Sequence, residues 1–168
     1  VLPESLTPER RSAFSWRRAN PVGSFVFLRS HPKLLGFAMV NFLSYLAHHV
    51  LPSTFVLYTG YRYGWNARTV GRTLAGGGIC SSAVQGGLVR PLVRRFGERR
   101  VVVAGLLFGS VGFSVYGFAP TGRMFWLGVP VMALWGLAGP AIQGLMTRWV
   151  TPSEQGRLQG ANAGVVAM

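Results

Sequence analysis

Four long apolar stretches dominate this sequence, and each of them is long enough to cross a lipid bilayer. They occupy residues 34–58, 70–89, 101–118 and 125–147, and the start of a fifth occupies 158–168. Crossing the hydrocarbon core takes ~20 apolar residues, and the need to pair every backbone polar group there restricts the segment to a helix or a closed barrel. The stretches lack period-two alternation, which favours helices. The predicted fold class is an all-α membrane protein with four full transmembrane helices and the start of a fifth.

Composition and charge placement argue against a soluble protein. Charged residues make up 12% of the chain, about half of the usual share in a soluble domain. A soluble helical bundle would carry charges every turn or two on its exposed faces. The net charge of +13 could suggest a nucleic-acid partner, but the charges form short runs between the apolar stretches and no basic helical face results. We therefore expect the lipid bilayer as the surroundings and no nucleic acid as a partner.

The basic residues predict an orientation in the membrane. All but four of the 17 Lys and Arg residues precede the first stretch, lie between the second and third, or follow the fourth; the four are Arg62, Arg68, Arg72 and Arg123. Positive residues favour the cytoplasmic side. Residues 1–33 are therefore predicted to be a cytoplasmic loop, and residues 34–168 a partial transmembrane bundle. We expect a multi-pass protein of the cell membrane, namely the bacterial inner membrane.

The first stretch contains an unusual polar face. Asn41, Tyr45, His48 and Pro52 fall on one side of a helix, and His49 lies about 100° away from His48. No Asp or Glu lies inside any stretch, so the two histidines are the groups there that titrate near neutral pH. Polar groups inside a membrane point at other helices or at a water-filled path. Two interpretations remain open: these residues line a substrate or proton path, or one imidazole bonds to a neighbouring helix.

Two further stretches carry polar residues that could line the same path. In the second, Ser81 and Gln85 continue a stripe of small and polar residues spaced by four, which close helix packing also explains. In the fourth, Pro140 and Gln143 lie in "GLAGPAIQG", residues 136–144, a pattern of an interrupted helix. Interrupted helices recur at the binding sites of transporters.

The remaining patterns indicate packing and exclude familiar enzyme chemistry. Gly105 and Gly109 of the third stretch have the small-xxx-small spacing that lets helices approach closely. Cys80 is the single cysteine, and no Ser-His-Asp set, phosphate loop or metal-ligand cluster appears. We therefore predict no enzyme, no catalytic residue, no metal and no cofactor.

The loop "RPLVRRFGERR", residues 90–100, resembles the loop signature of the major facilitator superfamily. The residues of the motif here are Arg95, Gly97, Glu98, Arg99 and Arg100, while Arg90 and Arg94 replace the Gly and Asp of the family pattern. The resemblance implies a carrier whose loop stabilises one transport state through cytoplasmic contacts.

The chain resembles the tetracycline-resistance branch of that superfamily more closely. "YRYGWN" at 61–66 is similar to its loop after the seventh span, and "GPAIQGLMTRWVTPSEQGRLQG" at 139–160 to its tenth span and following loop. The matching positions are Pro140, Gln143, Glu154, Gln155, Gly156, Gln159 and Gly160. This resemblance implies spans seven to eleven of a twelve-span carrier, with an N-terminal half of the same protein as the partner.

Two positions depart from that branch. Its antiporters carry a functional His in the eighth span and an Asp in the ninth, where this chain has Ser81 and Gly109. The resemblance implies a carrier, whereas these two departures weaken the case for tetracycline as its substrate. The implied function is proton-coupled export of small organic molecules by alternating access, with a coupling proton and a small-molecule substrate as partners. The alternative is a membrane receptor or scaffold that keeps the carrier fold without transport.

Overall fold

A computed structural model of the chain describes residues 29 and 32–166, and most of them are helical. The helices are α1 (Pro32–Tyr63), α2 (Ala67–Ala83), α3 (Val89–Phe96), α4 (Glu98–Phe118), α5 (Gly122–Ala133), α6 (Ala138–Thr147) and α7 (Gln155–Val166). A π-helical turn (Val84–Leu88) joins α2 to α3, and a 3-10 turn (Leu134–Leu137) joins α5 to α6. The described residues include no strand, so the all-α prediction is confirmed. The predicted cytoplasmic loop, 1–33, lies almost entirely outside the described residues.

Three helical segments of the described chain are long and apolar enough to cross a membrane: Pro32–Tyr63, Glu98–Phe118 and Gly122–Thr147. They contain the first, third and fourth predicted spans. The second predicted span falls on α2, which has 17 residues, and on the π-helical turn after it. Its crossing of the membrane, like that of the fifth, stays a prediction.

The outward surface of these helices is apolar. Leu57 is 76% exposed, Phe118 81% and Leu127 72%. Water-soluble monomers rarely expose so many large apolar side chains, because each of them would order water unfavourably. These surfaces suit hydrocarbon.

The described chain forms two compact units, of which the first contains the residues up to Leu43 and those from Met146 onward. In this unit, Asn41 of α1 donates a hydrogen bond from Nδ2 to Oδ1 of Asn162 in α7, at 2.9 Å. The ammonium of Lys33 lies 3.9 Å from the centroid of the Trp149 ring, a cation–π contact.

The second unit, Ser44–Leu145, has the α5 helix at its centre. Both α2 and α4 pack against α5, and α4 also packs against the 3-10 turn. Glycines allow α4 this close approach. A β-carbon at Gly105 would lie 2.8 Å from the backbone nitrogen of Ala138, and one at Gly112 would lie 2.8 Å from Sδ of Met132. The close packing predicted for Gly105 and Gly109 is confirmed, since a β-carbon at Gly109 would lie 2.8 Å from Cγ of the Trp135 ring; the contact at Gly112 was not predicted.

The end of α1 is fastened to the end of α4 through one carbonyl. The carbonyl oxygen of Ala119 accepts a hydrogen bond from the Tyr63 hydroxyl at 2.8 Å and another from Nε of Arg62 at 3.2 Å. Beside it, Phe125 is 1% exposed and its ring stacks on that of Tyr116, with centroids 4.0 Å apart. Aromatic packing and the shared acceptor together fix this end of the second unit.

Candidate transport site

Two helix interruptions meet in the second unit, and a proline follows each of them. The π-helical turn Val84–Leu88 precedes Pro91, which has no N–H to donate to the carbonyl of Gly87 four residues earlier. The 3-10 turn Leu134–Leu137 precedes Pro140, which likewise donates nothing to the carbonyl of Gly136. The two turns pack against each other. Irregular backbone from two neighbouring helices is therefore concentrated at one place.

The side chain of Gln85 marks that meeting point. A β-carbon on Gly136 would lie 3.4 Å from Nε2 of Gln85, so the amide lies directly beside the backbone of the 3-10 turn. Gln85 is otherwise exposed. Gln85, the predicted path residue in the π-helical turn, thus reaches the interrupted helix that contains Pro140.

The preceding residue in the same turn, Trp135, contacts two helices, α4 and α1. Its indole packs on the backbone of Gly109 in α4, and its centroid lies 5.4 Å from that of the Phe113 ring, which is inclined at 66° to it. The centroid of the His48 imidazole in α1 lies 5.4 Å from the centroid of the Trp135 ring, and the two ring planes are inclined at 50°. His48 and Gln85 therefore reach consecutive residues of one turn.

The predicted polar face of α1 divides into a buried end and an exposed remainder. Asn41 is 4% exposed and is bonded to α7, so it joins helices within its own unit. Tyr45 is 42% exposed, and His48, His49 and Pro52 are exposed as well. The side chains of Tyr45, His48, His49 and Pro52 are therefore accessible at the surface of the described part of the chain.

The other predicted path residues lie on the same two interrupted helices. Ser81 is half-buried on α2, one turn before Gln85. On α6, Pro140 is exposed and Gln143 is half-buried. Trp135 and Phe113 were not predicted. The only sequence signal for Trp135 is its position five residues before Pro140. The glycine spacing of α4 does not indicate which side chain of a neighbouring helix packs on Gly109.

The predicted loop motif forms a one-residue reversal between α3 and α4. Gly97 has φ +80°, a left-handed conformation that favours glycine, and its N–H donates to the carbonyl of Val93 at 2.9 Å. Glu98 opens α4, where its negative charge is favourable to the helix dipole. Its carboxylate lies beside Gly144 of α6, whose β-carbon would be 3.2 Å from Oε1. The arginines of the motif, Arg95, Arg99 and Arg100, are exposed.

The predicted loop after the fourth span is a helix start. Glu154 Oε2 accepts hydrogen bonds from the backbone N–H of Thr151 at 3.1 Å and from its hydroxyl at 2.8 Å. This reach of an acidic side chain back to a Thr three residues earlier satisfies a donor that would otherwise lack a helical partner. Gln155, Gly156, Gln159 and Gly160 follow as exposed residues in the first turns of α7.

Comparison with known proteins identifies the family. The Major Facilitator Superfamily pattern matches residues 37–168, and the chain belongs to this superfamily of multi-pass membrane carriers.

Several relatives of known name extend the match. The chain is 31% identical to the class C tetracycline resistance protein of Escherichia coli, over 100% of this chain and 42% of the relative. It is 34% identical to the class G protein of Vibrio anguillarum, over 81% of this chain and 35% of the relative. It is also 30% identical to hippocampus abundant transcript-like protein 1 of Homo sapiens, over 98% of this chain and 33% of the relative. The chain thus spans between a third and about two fifths of these relatives. No solved structure matches the chain significantly.

Proposed function

We propose that this chain forms part of a secondary active transporter that exports small organic molecules by alternating access, coupled to protons. Family membership over residues 37–168 is the observation that carries the proposal. Two of the relatives are named for tetracycline resistance, a property that export of a drug provides. The relatives are more than twice as long as this chain, which agrees with spans seven to eleven of a twelve-span carrier and with an N-terminal half as partner.

The proton would be handled by His48 and His49 within this part of the carrier. Neither Asp nor Glu occurs in the predicted spans, and an imidazole changes its charge in the physiological pH range. His48 lies against Trp135, beside the paired helix interruptions. Protonation there would place a positive charge next to irregular backbone, which is where transporters bind substrates and coupling ions.

We further propose that the N-terminal segment and the 90–100 loop are cytoplasmic and that the host membrane is the bacterial inner membrane. The concentration of arginines at one end of the predicted spans supports this orientation. The contact between Glu98 and the Gly144 backbone would then help hold the cytoplasmic end of α6 in one transport state.

The test is proton-driven flux of the dye ethidium by the full-length protein in proteoliposomes, measured over pH 5.5 to 8.5 under an imposed pH gradient. We expect His48→Gln to lower the rate and to flatten its pH dependence. Tyr61→Phe, which changes a 96% exposed residue, is the control and should behave as the wild type. Unchanged pH dependence in both His48→Gln and His49→Gln would remove the imidazoles from the proton path. Dye binding without flux against a gradient would instead favour the receptor or scaffold alternative.

A further inference from the structure

A cavity of about 730 Å³ lies at the end of the second unit where α1 ends and α5 begins. Five residues line it: Trp65 in the loop after α1, Thr121 just before α5, and Gly122, Arg123 and Trp126 in the first turns of α5. All five belong to the second unit. We call this the Trp65–Arg123 cavity, and its walls combine two indoles with a hydroxyl and a guanidinium.

The polar side chains of the cavity are hydrogen-bond donors that the described chain leaves without an acceptor. No described residue accepts a hydrogen bond from Nε1 of Trp65 or from the guanidinium of Arg123. The Thr121 hydroxyl oxygen accepts a bond from the N–H of Met124 at 3.4 Å, so its own proton stays available. In the second unit Glu98 is the sole acidic residue, and the 21 residues of α4, about 30 Å, separate it from this end. A negatively charged group with several oxygens would satisfy all three donors.

The donor group of Trp65 is held in place by its neighbours. A β-carbon on Gly122 would lie 2.7 Å from Nε1, so the indole N–H lies directly against the first residue of α5. The indole also contacts the rings of Tyr63 and Phe125, whose centroids each lie 5.5 Å from its own. Little ordering cost therefore remains for a ligand that accepts from this N–H. The dipole of α5 favours a negative charge at the same place.

The outward face of α5 continues from the cavity into apolar surface. Arg123, Trp126, Leu127 and Pro130 follow one another at intervals that place them on one side of the helix, and all four are exposed. A cationic end with apolar side chains along the following turns matches the shape of a phospholipid, whose charged headgroup lies above its acyl chains. A soluble phosphate would use the polar end alone.

We propose that the Trp65–Arg123 cavity binds the phosphate of an anionic membrane phospholipid. The guanidinium of Arg123 pairs with the phosphate, the Trp65 N–H and the Thr121 hydroxyl donate to its oxygens, and the acyl chains lie along the face that contains Leu127. The bound lipid tethers the loop after α1 to the start of α5, because its phosphate accepts from both. Binding here is independent of the proposed transport function.

The experiment follows one indole by fluorine NMR in the full-length protein, labelled with 5-fluorotryptophan and kept in dodecyl maltoside. The Trp126 resonance is assigned by its loss in Trp126→Phe. Dioleoylphosphatidylglycerol should shift this resonance saturably and give a dissociation constant. Dioleoylglycerol has the same chains without the phosphate, and glycerophosphoglycerol has the same headgroup without the chains. Neither of them should shift the resonance at the same concentration.

Three variants test the donors. Arg123→Gln should weaken the binding of dioleoylphosphatidylglycerol about tenfold, because a charge-assisted bond to the phosphate is lost. Trp65→Phe keeps a ring but removes the N–H, and should weaken binding about threefold. Gly122→Ala should act in the same direction, since its β-carbon would displace the indole from 2.7 Å. Arg72→Gln is the matched control, because Arg72 is an exposed arginine on α2 that does not line the cavity.

Three results would overturn the lipid site: no saturable shift with dioleoylphosphatidylglycerol, an equal shift with dioleoylglycerol, or equal effects of Arg123→Gln and Arg72→Gln. A shift with glycerophosphoglycerol at the same concentration would assign the cavity to soluble phosphate esters and would likewise exclude the lipid. Thermal unfolding verifies that each variant is folded. If Arg123→Gln does not fold, Trp65→Phe and Gly122→Ala decide between the outcomes.

Discussion

The backbone of Gly109 lies so close to the indole of Trp135 that a β-carbon at position 109 would stand 2.8 Å from Cγ of the ring. Real β-carbons do not approach other atoms so closely, and the neighbouring ring atoms Cδ1 and Cδ2 are as near. The absence of a side chain in α4 therefore makes room for the largest side chain of the 3-10 turn. The resemblance to the tetracycline antiporters implies an acidic residue at this position, and here an aromatic ring fills the corresponding space.

The first prediction concerns this contact. Gly109→Ala should destabilise the protein by about 1–3 kcal/mol, because an added methyl group in a filled site displaces a ring that cannot move freely. The measurement is the midpoint of thermal unfolding in detergent, followed by near-UV circular dichroism of tryptophan. Gly117→Ala is the control on the same helix, where nothing lies within 4 Å of the added carbon. Equal midpoints for the two variants would contradict the close contact.

The second prediction compares two neighbouring tyrosines. Tyr63→Phe removes a 2.8 Å hydrogen bond to the carbonyl of Ala119 and should cost about 1 kcal/mol. The remaining donor to that carbonyl is Nε of Arg62, which limits the loss. Tyr61→Phe removes a hydroxyl from a residue that is 96% exposed and should leave the midpoint unchanged. A larger effect at position 61 than at 63 would refute the proposed fastening of α1 to the end of α4.

The third prediction treats Asn41 and Asn162 as a coupled pair. Asn41→Leu and Asn162→Leu should each destabilise, because the partner amide is left without its 2.9 Å bond. The double variant should be less destabilised than the sum of the two, by about 0.6–2 kcal/mol, the range found for hydrogen bonds between membrane helices. A double-mutant cycle on unfolding free energies measures the coupling. Simple additivity would show that the pair contributes no specific interaction.

The fourth prediction concerns the reversal between α3 and α4. Gly97→Ala forces a β-carbon into a conformation with φ +80° and should cost about 1–3 kcal/mol through backbone strain. Gly78→Ala is the control, because Gly78 is helical and has open space around it. Hydrogen exchange at the first amides of α4 should accelerate only in Gly97→Ala. Unchanged exchange in that variant would mean that the reversal accepts a side chain.

The helical fold could be predicted from the sequence because lipid imposes one dominant constraint. Residues 34–58, 101–118 and 125–147 are apolar over the required length, and no charge pattern competes with that signal. The glycine spacing of α4 likewise indicated a close approach. Of the two helix interruptions, the sequence predicted the one near Pro140. The π-helical turn before Pro91 was not predicted, because it depends on how the carbonyl of Gly87 is accommodated after folding.

The contacts of the candidate site could not be predicted in the same way. Helical spacing places Asn41 and His48 on one face, yet Asn41 is bonded to α7 while His48 contacts Trp135. Which neighbour a helix face meets depends on the packing of distant segments, and a local period contains no information about it. Trp135 itself belongs to a short turn inside an apolar run, where its position five residues before Pro140 is the one feature that sets it apart from a tryptophan facing lipid.

The length of α1 determines the depth of its histidines. With 32 residues, the helix is about 48 Å long, and even a tilt of 40° leaves about 37 Å along the normal of a bilayer whose core measures ~30 Å. A helix of this length, centred in the bilayer, would extend into both headgroup layers, with Lys33 near one end and Arg62 near the other. His48 lies 16 residues after Pro32 and 15 before Tyr63. Its imidazole therefore occupies the middle of α1, a position that a span centred in the bilayer would place near the midplane.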